Sequence, residues 1–242
     1  QGKIDWKKVK AAGIDFAIVR AGYGREISQK DKRFEENYAG AKAAGIKVGA
    51  YWYSYADTVA RGEQEAKTFL EVIKGKKFDL PVFFDQEYEK NILALTDAER
   101  TDIVLAFVKT VHAAGYDCGL YSSTDFLKNK LVTSRVSHLK IWLAEYGSKL
   151  HYTGKVWAWQ YSSKGRVNGI FGYVDMNRKV TDKYRQAVKD GTVVELPEEL
   201  KPMADGIHAL IQAVYDDSVL REMFSDGHET KVKENPLNEN FA

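Results

Sequence analysis

The chain has 242 residues, which suits one barrel-sized domain or a domain with an appendage, and is long enough to bury a substantial core. A hydrophobic share of 44%, a charged share of 29% and a net charge of +2 are those of a globular protein and argue against a nucleic-acid partner. One cysteine, Cys118, excludes an internal disulfide, and no apolar run is long enough to cross a bilayer or reads as a signal peptide.

Taken in chain order, strand and helix alternate. Residues 16–20 read as a strand, and 34–44 as a helix closed by Gly45. A strand follows at 47–53, then a helix over 58–74 with Ala60, Ala66, Phe69, Leu70 and Ile73 on one face. Residues 82–87 read as a strand. Thr96 stands as an N-cap with Glu99 three residues on, a capping box that opens a helix ending at Gly115. Further strands are predicted at 118–121, 140–143, 156–160 and 172–175, the last followed by a helix to about residue 189. Such alternation implies a parallel sheet covered by helices. Seven strands are one short of a (β/α)8-like, TIM-type barrel, and the place for the eighth is before Gln1. The predicted fold is therefore an α/β barrel over 1–192 that lacks its first strand, with a short helical extension over 193–242. In the extension Leu200, Met203, Ile207, Leu210, Ile211 and Val214 form a stripe at helical spacing. Residues 225–242 are polar and are expected to be disordered.

The chemistry centres on Asp85-Gln86-Glu87, at the end of the apolar run Leu80-Pro81-Val82-Phe83-Phe84. Residues two apart on a strand share a side, so Asp85 and Glu87 aim two carboxylates at one place, roughly 6–7 Å apart along the backbone. Walled by Phe83, Phe84 and Tyr88, the pair is costly to place unless something uses it. Glycoside hydrolysis is the chemistry that most often needs it. Other predicted strand ends bring Arg20 and Tyr23, Tyr51 and Tyr53, Tyr121, Trp142 and Tyr146, Gln160 and Tyr161, and Asp175 and Asn177. In a barrel those ends form the active-site face.

Several residues carry blander readings. Cys118 is read as a small buried hydrophobe, since no His is positioned to activate it. Glu145 is expected to face away from the cleft in an ion pair, and one of Trp157 and Trp159 is expected in the core. His112, His138, His151, His208 and His228 lack metal-ligand spacing, so neither a metal nor a cofactor is predicted. The 162–169 segment lacks a phosphate-loop pattern.

Residues 1–190 resemble the glycoside hydrolase family 25 lysozymes. The resemblance rests on Gln1-Gly2 with Ile4-Asp5-Trp6, on Val19-Arg20-Ala21-Gly22-Tyr23-Gly24 and on Gly49-Ala50-Tyr51-Trp52-Tyr53. It continues through Asp85-Gln86-Glu87, Trp142-Leu143-Ala144-Glu145-Tyr146, Trp159-Gln160-Tyr161-Ser162 and Val174-Asp175-Met176-Asn177, in that order. It implies cleavage of the β-1,4 bond between N-acetylmuramic acid and N-acetylglucosamine in bacterial peptidoglycan, at the cell wall. Glu87 would be the general acid. Asp85 would stay ionised and orient the acetamido group or counter the oxocarbenium-like charge, with Asp175 across the cleft. Tyr51, Tyr53, Tyr121, Trp142, Tyr146, Gln160 and Arg20 would bind the glycan. The family's first strand carries an active-site Asp a few residues before Trp-Gln-Gly, so the resemblance implies that this strand and its acid are missing from the sequence, either as a lost segment or because the barrel is defective. The alternatives are a chitinase-like glycosidase and a non-catalytic wall-binding module.

Overall fold

The computed structural model describes residues 2–182, 184 and 186. In chain order the elements are α1 (Trp6–Ala11), β1 (Phe16–Tyr23), α2 (Phe34–Ala43), β2 (Lys47–Tyr53), α3 (Val59–Ile73) and β3 (Val82–Asp85). They continue with α4 (Lys90–Leu93), α5 (Asp97–Ala113), β4 (Cys118–Ser123), α6 (Thr124–Asn129), α7 (Thr133–Val136), β5 (Ile141–Ala144), β6 (Ala158–Gly165) and β7 (Val174–Lys179). Gln1, the extension over 193–242 and most of the helix predicted to residue 189 lie outside the described residues.

Local chemistry fixes the helix ends. The Thr96 hydroxyl accepts from the Glu99 N–H at 3.3 Å while the Glu99 carboxylate accepts from the Thr96 N–H at 2.8 Å, which is the predicted capping box at the head of α5. Gly115 then takes a left-handed φ of 85°, which no side-chain-bearing residue adopts cheaply, and α5 stops. The sequence reading missed α1. Asp5 caps it by accepting from the Lys8 N–H at 3.2 Å.

The strands form one curled sheet in the order β1 to β7, with helices on its outer face. From β1 to β6 every pairing is parallel. β7 runs antiparallel to β6, which corrects the expectation of an all-parallel sheet. The cause is the short connection over 166–173: a parallel return needs a crossover of about a dozen residues or more. The sheet is thus a half-barrel, with β1 and β7 as its edges among the described residues.

Alternation along each strand divides two apolar layers. Trp52, Phe84, Leu120, Leu143 and Trp159 face the helices, where Phe84 and Phe69 pack on Phe107 of α5 with ring centroids 4.4 and 5.8 Å apart. Tyr51, Phe83, Tyr121, Trp142, Ala144 and Ala158 fill the concave side. Trp159 is the core tryptophan of its pair, while Trp157 is half-buried against Phe83. Cys118 is buried and its thiol pKa is raised by burial, so it packs as a small hydrophobe. No described helix is long and apolar enough to cross a membrane.

Candidate active site

Strand register builds the site from one row. Tyr53, Asp85, Tyr121, Trp142 and Ala158 are successive partners across β2 to β6, so a single level of the sheet carries an acid between aromatic rings. Asp85 is the last residue of β3; its carbonyl accepts from the Ser54 N–H at 2.9 Å. The predicted strand runs two residues too far. Glu87 sits beyond the ladder, in a turn where the Glu89 N–H donates to the Glu87 carbonyl at 2.9 Å. Asp175 joins the two acids from β7.

Asp85 is only 4% exposed, and its Oδ1 has no hydrogen-bond partner. Burial raises its pKa well above the carboxylate range, reinforced by the charge of Glu87, a hydrogen bond with Glu87 and the charge of Asp175; Arg20 pulls the other way. Glu87 is half-buried, and its pKa is raised to about 7, chiefly by burial, with the hydrogen bond from Asp85 opposing and the charge of Glu89 adding. Asp175 is also raised to about 7, by burial and then by the Glu87 charge. Three such acids cannot all be ionised at neutral pH. Burial and the neighbouring acids thus work against ionisation of Asp85, the acid that the resemblance implies to be charged. Arg20, the cation that would favour its charge, is engaged by Asp31 at 2.8 Å.

The aromatic residues divide into floor and wall. Tyr51, Tyr121 and Trp142 are buried, with Trp142 edge-on to both tyrosines at centroid distances of 5.9 and 4.5 Å. The Trp142 indole N–H donates to Asn177 Oδ1 at 2.7 Å, so this ring is fixed in the floor. Gln160 Oε1 accepts from Tyr121 at 3.0 Å and from Tyr146 at 3.1 Å, tying floor to rim. Tyr146 is 59% exposed and is the ring that offers an open surface to a sugar. Tyr53 donates its hydroxyl to Glu89 at 2.6 Å.

Two walls differ from expectation. Phe84 faces α5, because side chains alternate and Phe83 takes the cleft side. Tyr88 is 45% exposed, donates to Asp125 and sets its ring 5.0 Å from Phe126. Tyr23 packs edge-on to Tyr55 at 6.0 Å. Glu145 turns away from the cleft to Thr124 at 2.8 Å and His151 at 3.0 Å. Sequence reasoning missed Asp31 and Glu89. Glu89 had a signal, the continued two-residue interval of Asp85 and Glu87; Asp31 had none, since it reaches Arg20 by a loop that folds back. Among the described residues no group of three or more His, Cys, Asp or Glu is arranged to hold a metal ion.

The family model for glycosyl hydrolases family 25 matches residues 1–170. The chain belongs to that family. It is 32% identical over 196 residues to the autolytic lysozyme of Clostridium acetobutylicum, covering 80% of this chain and 56% of that protein. It resembles the solved bacterial lysozyme of Streptomyces coelicolor at 27% identity and a TM-score of 0.67, covering 79% of this chain and 94% of that one. It also resembles the modular autolysin LytC of Streptococcus pneumoniae, solved in complex with a synthetic peptidoglycan ligand, at 29% identity and a TM-score of 0.65, over 73% of this chain and 43% of that one. The chain thus spans about half the length of the clostridial relative. These likenesses give the half-barrel its context, the TIM-like barrel of family 25.

Proposed function

We propose that the chain is a peptidoglycan hydrolase of lysozyme type that cleaves the β-1,4 bond between N-acetylmuramic acid and N-acetylglucosamine at the bacterial cell wall. The observation that carries this reading is the pairing of buried Asp85 with half-buried Glu87 at the carboxyl end of β3, each with its pKa raised chiefly by burial, under an aromatic wall. Family membership supports the class of activity, and the peptidoglycan-bound LytC supports the substrate.

The chemistry follows from the environment of each acid. A general acid works best with its pKa near the working pH, and burial brings Glu87 to about 7. Glu87 donates its proton to the leaving glycosidic oxygen as the bond to the anomeric carbon breaks. The carboxylate left behind keeps its hydrogen bond with Asp85. Asp175 is the acid best placed to answer the positive charge spreading over the sugar ring or to hold the acetamido group. The anomeric carbon is then taken by the substrate's own acetamido oxygen or by water, and the anomer of the product distinguishes the two. Trp142, Tyr51 and Tyr121 form the floor, Gln160 and Arg20 orient it, and Tyr53 and Tyr146 line the sugar.

The test is reducing-sugar release from purified peptidoglycan by the chain and by its Glu87→Gln variant. Release that the substitution abolishes, with wall binding retained, is the expected result. Release unaffected by the substitution, or wall binding without release from either protein, would overturn the reading in favour of another acid or a binding module.

A further inference from the structure

Glu89 continues the two-residue interval of the acids, and its own helix does not explain it. It occupies the N-cap of α4 with extended backbone angles (φ −70°, ψ 143°), yet its side chain makes no cap hydrogen bond. The carboxylate instead turns back and accepts the Tyr53 hydroxyl at 2.6 Å. Its N–H is tied to the Glu87 carbonyl at 2.9 Å, so the residue is anchored to the acid at one end and to β2 at the other. Tyr53 is the last residue of β2 and lies in register with Asp85, with its ring centroid 5.2 Å from that of Tyr55. The link therefore runs from β2 to the turn after β3, alongside the acid pair.

We propose that Glu89 is a positioning residue for the Asp85–Glu87 pair, holding the Tyr53 hydroxyl at the cleft wall and fixing the turn that carries Glu87. This rests on the glycosidase reading. An electrostatic effect accompanies the geometric one. The Glu89 charge opposes ionisation of Glu87. Glu87 is also faced by Asp85 from β3, Asp175 from β7, Tyr121 from β4, Tyr146 from the loop after β5 and Tyr88 from its own turn. Glu89 thus helps keep the donated proton on Glu87 at neutral pH.

Three variants separate the parts. Glu89→Gln keeps an acceptor for Tyr53 and removes the charge; Glu89→Ala removes both; Tyr53→Phe keeps the Glu89 charge and removes the hydroxyl, with its hydrogen bond to Glu89 and whatever that hydroxyl contributes at the sugar. The measurements are kcat and KM on purified peptidoglycan across pH, and a titration of Glu87 by carbon-13 NMR of its carboxyl. For Glu89→Gln, the basic limb of kcat/KM should move to lower pH by about half a pH unit or more, with KM changed less than about twofold. Glu89→Ala should add a fall in kcat of about tenfold. Tyr53→Phe should lower kcat without moving the limb down. A Glu89→Gln variant with wild-type pH profile and kcat would overturn the proposal. If the wild type itself releases no sugar, the glycosidase reading has failed, and the NMR titration judges the coupling separately. Glu87 titrating at lower pH in Glu89→Gln would support it, and an unchanged titration would overturn it.

Discussion

Gly119→Ala is a demanding test of how β4 and the cleft floor are assembled. Gly119 is the partner of Phe83 across the β3–β4 ladder. A Cβ built there would lie 2.2 Å from the Lys140 carbonyl oxygen and 2.9 Å from Phe83 Cε1. The first neighbour is backbone and cannot rotate away. The Lys140 carbonyl also accepts the Leu120 N–H at 3.0 Å, so pushing β4 from β5 weakens a ladder bond. Overpacking a core costs about 1–3 kcal/mol, and a weakened hydrogen bond adds about 1. The sum is about 2–4 kcal/mol, or a fall in Tm of roughly 5–15 °C for a domain of this size. Phe83 stands 5.4 Å from Trp142 in the floor, so activity should fall with stability. Urea unfolding followed by tryptophan fluorescence measures the first, and reducing-sugar release the second. A variant within about 0.5 kcal/mol of wild type would refute the packing argument.

Three further outcomes follow from buried charge. Glu65 is 2% exposed and raised to about 7 by burial, although the Tyr55 N–H donates to it at 3.0 Å. Its folded pKa lies above its unfolded one, so its stabilisation is complete below about pH 4.5 and is lost as pH rises through 7. Glu65→Gln should flatten that part of the stability curve and raise stability at pH 8 by on the order of 2–3 kcal/mol in urea titrations; an unchanged slope would contradict this. Asp31→Asn removes the charge that pairs with Arg20 where both side chains are nearly dry (12% and 2% exposed), and should cost about 3 kcal/mol in the same assay. Burial of Glu87 predicts that kcat/KM falls about tenfold per pH unit above a basic limb near pH 7; a flat profile to pH 9 would exclude Glu87 as the acid.

Much of this arrangement is legible in the sequence. The pattern Lys47-Val48-Gly49-Ala50-Tyr51-Trp52-Tyr53 marks β2, and Thr96 with Glu99 marks the head of α5, because each depends on neighbours in sequence. Barrel logic brings Asp85 and Glu87 to the carboxyl face of the sheet; Asp175 reaches that face from the start of β7, because β7 runs antiparallel to β6. Phe84 was less legible. A strand buried on both faces is apolar throughout, so the run 80–84 does not say which ring faces the cleft. The direction of β7 depends on the length of a connection whose start is blurred by the extension of β6 to Gly165. The two acids are chemically alike in sequence; burial first, and then the charges of Glu87 and Asp175, raise the pKa of the inner one, and these depend on the fold. Arg20–Asp31 and Tyr53–Glu89 join loops to strands; the two-residue interval of the acids points to Glu89 but not to its partner, and nothing local points to Asp31.

The central claim is that Glu87 donates a proton to a glycosidic oxygen in peptidoglycan. The most direct measurement is reducing-sugar release at pH 6 from purified wall, comparing wild type with Glu87→Gln. A loss of about a hundredfold or more, with circular dichroism and wall binding unchanged, is the predicted result. Equal release from the two proteins would contradict it.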